Sequence, residues 1–164
     1  LVAIGIVGLL ASLLVPAAGK LRQRAEAIAC VGSLRQIGIC AMMYSTDNDR
    51  QFPTIEPWPS DPVYAPEDKA GALLEVLGPY GLTERAVTCR TDLAGPNYLA
   101  KEGSSFQWCP MASGQNLSSV KLGWDNLGDV QLDRLLMAFD YTNVHFGKSN
   151  VLFGDGHVAA AAGD

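Results

Sequence analysis

The chain has 164 residues, 48% of them hydrophobic, and carries 12 basic against 17 acidic side chains, a formal net charge of −5. That length holds one domain and little more, and the acidic excess argues against nucleic acid as a partner, because it repels phosphates instead of releasing their counterions. The charge is uneven: residues 20–46 hold Lys20, Arg22, Arg24 and Arg35 against Glu26, a net of +3, and the remainder carries a net of −8, so a basic stem bears an acidic head.

The first element is LVAIGIVGLLASLLVPAAG, residues 1–19, without a single charged side chain. As a helix it would span about 28 Å, close to the ~30 Å hydrocarbon core of a bilayer. A buried core helix would normally show a polar face, and here only Ser12 is polar. A cleaved secretory signal has a shorter apolar region, a basic segment before it and a cleavage site after it; a membrane-embedded helix fits residues 1–19 better. Leu1, Ile4, Leu10 and Leu14 supply its apolar surface, Gly5 and Gly8 lie together on one side, and Pro16 removes one backbone hydrogen bond.

The helical pattern continues through residues 20–46. Cys30, Leu34, Ile37, Ala41 and Tyr44 recur at helical spacing, the stripe of an amphipathic segment that packs one face on something, until Thr46, Asp47, Asn48 and Asp49 end it. Residues 47–164 form the head. It opens with QFPTIEPWPSDPVYAP, whose five prolines predict an extended, irregular linker. A short helix follows in PEDKAGALLEVLGPYG, with Leu73, Leu74 and Leu77 on one side. Residues 88–130, rich in Gly, Ser and Asn, read as loop. DRLLMAFDY reads as a buried strand, and SNVLF-GDG-HVAAA as two strands around an Asp-Gly turn. The predicted fold class is α+β: one long N-terminal helix, apolar then amphipathic, on a small head with an antiparallel sheet and a C-terminal hairpin.

LVAIGIVGLLASLLVPA with its basic amphipathic continuation resembles the N-terminal helix of type IV pilins and type II secretion pseudopilins. CVGSLRQIGICAMMYSTDNDRQFP looks like the next segment of a pseudopilin-like branch of planctomycete and verrucomicrobial type, which ends in a histidine, nine residues and Asp-Gly. His145 followed by Asp155, Gly156, His157 and Val158 has that spacing. The likeness covers the first 53 or so residues and the last 25. It implies a structural subunit that packs its helix into a filament with copies of itself and other pseudopilins, anchored in the inner membrane beside a secretion or pilus assembly platform. It also implies a periplasmic or extracellular head. On the positive-inside rule Lys20, Arg22 and Arg24 would draw the head into the cytoplasm, but prepilins are oriented by a basic leader. That leader and the Phe-Thr-Leu-(Ile/Val)-Glu of the family, with its N-terminal methylation, do not appear in the chain. Either Leu1 lies inside the mature protein with the glutamate just upstream, or the subunit lacks the glutamate, as some filament-tip pseudopilins do.

The remaining chemistry is sparse. Cys30, Cys40, Cys89 and Cys109 contain no CxxC pair, which argues against a zinc site, and Cys30 and Cys40 lie about 15 Å apart along one helix. In an oxidising compartment Cys89 and Cys109 would form a disulfide, or else remain buried thiols. No nucleophile, metalloprotease or phosphate-loop motif is present, so an enzyme is not expected. Major pseudopilins of type II systems bind calcium near the C-terminal hairpin, and Asp125, Asn126, Asp129 and Asp133 offer oxygen ligands, but without EF-hand spacing; a solvated acidic loop is the simpler reading, and no cofactor is required. The alternative function is a membrane-anchored periplasmic binding or enzymatic domain using His145, Asp155 and His157. Against it, the strand that begins just after His145 would, fully extended, leave that residue up to ~27 Å from the turn unless the chain folds back at Gly147.

Overall fold

A computed structural model describes residues 2–60, 72–118, 131–141, 145 and 147–162, with side chains from Ala18 onward. Helix α1 runs unbroken from Val2 to Asp47, through Pro16. Even its lower part, Ala18–Asp47, is long and apolar enough to cross a membrane, with a window of mean hydropathy 1.4 of which 33% is buried. The buried share is the stripe expected from the periodicity: Cys30, Leu34, Ile37, Cys40 and Ala41 are each at most 3% exposed. The helix stops where its polar residues cluster. Ser45 Oγ and Thr46 Oγ1 bond back to the Met42 carbonyl, and Asn48 donates to the Tyr44 carbonyl. Asp49 and Arg50 then take left-handed φ values of 50° and 60° and turn the chain back toward the head.

The sheet has four antiparallel strands in the order β1 (Phe106–Trp108), β2 (Leu136–Asp140), β3 (Lys148–Phe153) and β4 (Val158–Ala162). Helix α1 lies across it, in contact with β2, β3 and β4. Its closest approach is at Gly38, where an added Cβ would stand 3.1 Å from Leu152 Cδ1 of β3. The side chains between them, with Trp108, Phe106, Leu135 and Met137, form one core.

Three sequence readings need revision. The proline-rich stretch is no free spacer at its start: Phe52 and Ile55 are 1% and 2% exposed and belong to the core. Gln51 bridges Asn116, and the Phe52 amide donates to the Gln115 carbonyl. Residues 88–118 are not plain loop either, since they hold α3 (Arg90–Leu93), α4 (Tyr98–Glu102) and β1. The predicted helix after the linker is shorter than read, α2 (Leu73–Leu77), followed by a 3₁₀ turn over Gly78–Tyr80. The C-terminal hairpin is as predicted, with Leu152 opposite Val158 and Lys148 opposite Ala162. Gly156 takes φ 88° in its turn, a conformation that β-branched residues resist.

Two substitutions should therefore unfold the head for separable reasons. Leu34→Ala empties a fully covered site and should cost about 2–5 kcal/mol, and Gly156→Val should cost about 1–3 kcal/mol through backbone strain. Ile39→Ala, at a residue 61% exposed, should change little. Urea unfolding in mild detergent, followed by tryptophan fluorescence, would measure all three; an Leu34→Ala midpoint equal to that of Ile39→Ala would show that the stripe does not hold the helix.

Candidate functional site

The most chemically distinctive place is where α1 meets the head at Cys30. Cys30 sits on the buried stripe, 2% exposed, and its Sγ donates to Cys89 Sγ at 2.6 Å. Cys89 precedes α3 and is held from behind. Its amide donates to Ser105 Oγ at 3.0 Å, and Ser105 Oγ donates to Asp92 Oδ2 at 2.7 Å. Asp92 in turn accepts the Tyr98 and Leu99 amides at 2.9 and 3.0 Å, satisfying the start of α4. This buried carboxylate fixes the backbone that presents Cys89.

His145 approaches from the opposite side, with Nε2 3.5 Å from Cys89 Sγ. It reaches there because the chain turns back at once: His145 and Lys148 exchange both backbone hydrogen bonds, at 3.2 and 2.9 Å, and Gly147 takes φ 71°. Asp140, at the end of β2, completes the group. Its Oδ2 accepts the Asn150 amide at 2.8 Å and Asn150 Nδ2 at 3.0 Å, and stands 4.0 Å from His145 Nε2. Its Oδ1 is buried with no hydrogen-bond partner among the described residues.

These contacts set the ionisation of the group. The hydrogen bond from Cys30, and behind it that of His145, pull the Cys89 thiol down against the opposing effect of burial. His145 is raised, chiefly by its bond to the Cys89 sulfur. Burial pushes the Asp140 carboxyl up to about 6. The contacts thus favour the thiolate form of Cys89 and the protonated form of His145, with a second thiol beside them. The ligand atoms of Cys30, Cys89 and His145 lie within 4.8 Å of one another, a donor set that suits a soft metal ion as well as sulfur redox chemistry.

The expected Cys89–Cys109 disulfide is not formed: both cysteines are free, and Cys89 faces Cys30 instead. Residues 90–108 are taken up by two short helices and β1, which carry Cys109 into the sheet core while Cys89 stays against α1. There the Cys109 amide bonds the Met137 carbonyl at 2.7 Å, and burial raises its thiol.

The signature turn forms a second, different place. Asp155 Oδ1 accepts the His157 amide at 3.0 Å and lies 2.5 Å from His157 Nδ1, and the imidazole stacks on Phe153 at 4.4 Å. Asp155 is held below its ordinary value, first by that backbone amide. Both residues are exposed. The two histidines of the signature are therefore split, His145 into the buried sulfur cluster and His157 onto an outer turn. Of the calcium candidates, Asp133 is exposed in a 3₁₀ turn, and Asp125, Asn126 and Asp129 lie outside the described residues. Ile4, Gly5, Gly8, Leu10, Leu14 and Pro16 are all in α1, but their side chains, like Leu1, lie outside the description. Beside the turn, Asp155 and Gly156 line a groove of about 1080 Å³ together with Arg35, Ile39, Met42 and Met43 of α1.

No protein-family profile, curated protein or solved structure matches the chain.

The raised Asp140 carboxyl makes a signed prediction. A carboxyl whose folded pKa lies above its unfolded value favours folding when protonated, so its contribution falls as pH rises from about 4 through about 6. Asp140→Asn keeps an acceptor for Asn150 but cannot ionise. Its stability relative to the parent should rise across that window by about 2–3 kcal/mol. Parallel urea titrations at pH 4 and pH 7 would test this, and a constant difference would mean that Asp140 does not carry the ionisation cost.

Proposed function

We propose that the chain is a structural, pilin-like subunit, which packs the upper part of α1 into the apolar interior of a filament or membrane and carries its head outside. The observation behind this reading is the unequal covering of α1. The head covers one stripe of its lower half, while the opposite side shows Leu21, Ile28, Ile39 and Met43 at 65%, 71%, 61% and 51% exposure. Above them the sequence is apolar on every side. Apolar surface of that extent calls for lipid or for other helices. The basic residues Lys20, Arg22 and Arg24 sit between the two zones, where they can pair with acidic groups of neighbouring copies; Arg22 already bonds Glu26 at 3.0 Å within the helix. Pseudopilin partners, secretion or pilus assembly, N-terminal methylation and an envelope location belong to the same proposal through the sequence resemblance. The alternative of an enzymatic domain using His145, Asp155 and His157 together is weakened by the separation of the two histidines into a buried and an exposed setting.

The reading is tested by comparing the 164-residue chain with a fragment beginning at Ala25. The fragment should be monomeric in buffer, and the longer chain should require detergent or assemble into filaments visible by negative-stain microscopy. A long chain that stays monodisperse without detergent at high concentration would overturn the proposal.

A further inference from the structure

We propose that Cys30 and Cys89 are a disulfide-forming pair that fastens helix α1 covalently to the head, with His145 as the proton acceptor for Cys89. Three observations converge on this. The sulfurs are 2.6 Å apart across a sequence separation of 59 residues, one on the stem and one on the head. Both side chains are enclosed, at 2% and 1% exposure, so they face each other rather than solvent. Cys89 is positioned by the Ser105–Asp92 relay and faced by an imidazole at 3.5 Å, a neighbour that favours the thiolate once the sulfur is reached during folding.

A metal centre on the same donors is the competing reading, and the geometry argues against it. Two thiolates on one zinc ion, each about 2.3 Å from it at a tetrahedral angle, would stand about 3.8 Å apart. The observed separation of 2.6 Å leaves no room for an ion between the sulfurs. All four cysteines are free thiols in this structure, and Cys40 and Cys109 are buried apart from the pair that would join.

The bond would form by thiol–disulfide exchange with an external disulfide, such as oxidised glutathione, while the head folds onto the helix. Cys89 gives its proton to His145 and attacks one sulfur of the external disulfide, forming a mixed disulfide and expelling one thiolate. That thiolate takes the proton from His145. Cys30 then attacks Cys89 Sγ, the Cys30–Cys89 bond forms, and the second external thiolate leaves carrying the Cys30 proton. Two protein thiols are oxidised and one external disulfide is reduced to two thiols.

The experiment uses the full chain in detergent, refolded from the reduced state in a glutathione redox buffer, then alkylated under denaturing conditions and digested without reductant. The expected result is a peptide pair joined through Cys30 and Cys89, two alkylated cysteines at Cys40 and Cys109, and an unfolding midpoint that drops on adding reductant. In Cys30→Ser the joined pair and the reductant sensitivity should both vanish. Four alkylated cysteines, a Cys89–Cys109 link, or one zinc ion per chain that is lost in Cys30→Ser would each overturn the proposal. The role of His145 is read from the rate of bond formation. Its imidazole is faced by Cys89, Asp140 and Cys30 and feels the charge of Glu26, and of these Cys89 must ionise for the exchange to begin. His145→Gln should slow bond formation several-fold near pH 7 and match the parent near pH 9, where a thiol ionises unaided. Equal rates at both pH values would remove His145 from the step.

Discussion

Everything in this molecule hangs on one contact, the seating of the lower half of α1 on the sheet. A 46-residue helix has little reason to persist alone in water over its full length. Its stability comes from the stripe of Cys30, Leu34, Ile37, Cys40 and Ala41, and from the missing side chain at Gly38 that lets Leu152 come in close. The sheet is equally dependent. Four short strands, two of them at edges, cannot cover both faces by themselves, and α1 supplies the roof for the inner one.

Around that seam the protein accepts several buried polar groups, and they divide by how well they are satisfied. Asp92 receives two amides and a hydroxyl, and so organises the start of α4 and the backbone of Cys89 without an open valence to explain. Among the described residues Asp140 is bonded on one oxygen only. Its neighbours are a histidine and a pair of sulfurs, so the least satisfied carboxylate lies beside the most reactive side chains. This is the pattern expected where polar groups serve chemistry or fastening instead of packing.

The parts legible in the sequence were those governed by local periodicity. The spacing of Leu34, Ile37, Ala41 and Tyr44 announced the buried side of α1, and Asp155-Gly156 between two apolar runs announced the hairpin. The parts that escaped were set by distance along the chain or by shortness. Helices of four and five residues, such as α3 and α4, never complete the repeats that reveal amphipathicity, so 88–118 read as loop. Phe52 and Ile55 held a usable signal, two large apolar residues three apart, but the prolines around them drew the reading toward a linker. The sulfur cluster was hidden because its members come from three segments, and motif spacing sees only neighbours. One clue was present: Cys30 lies on the same stripe as Leu34, so its thiol had to face the head.

Strand β4 has a consequence of its own. From Ala159 to Ala162 it is all alanine, and among the described residues it is paired only with β3. Among the described residues no strand covers its outward amides and carbonyls, and the edge has neither a lysine nor a proline to repel an incoming strand and no bulky side chain to obstruct one. Alanine also contributes little to holding a strand in place. The sheet therefore ends in an uncharged edge onto which a further strand of this or another chain can add, with backbone pairing alone as the attraction.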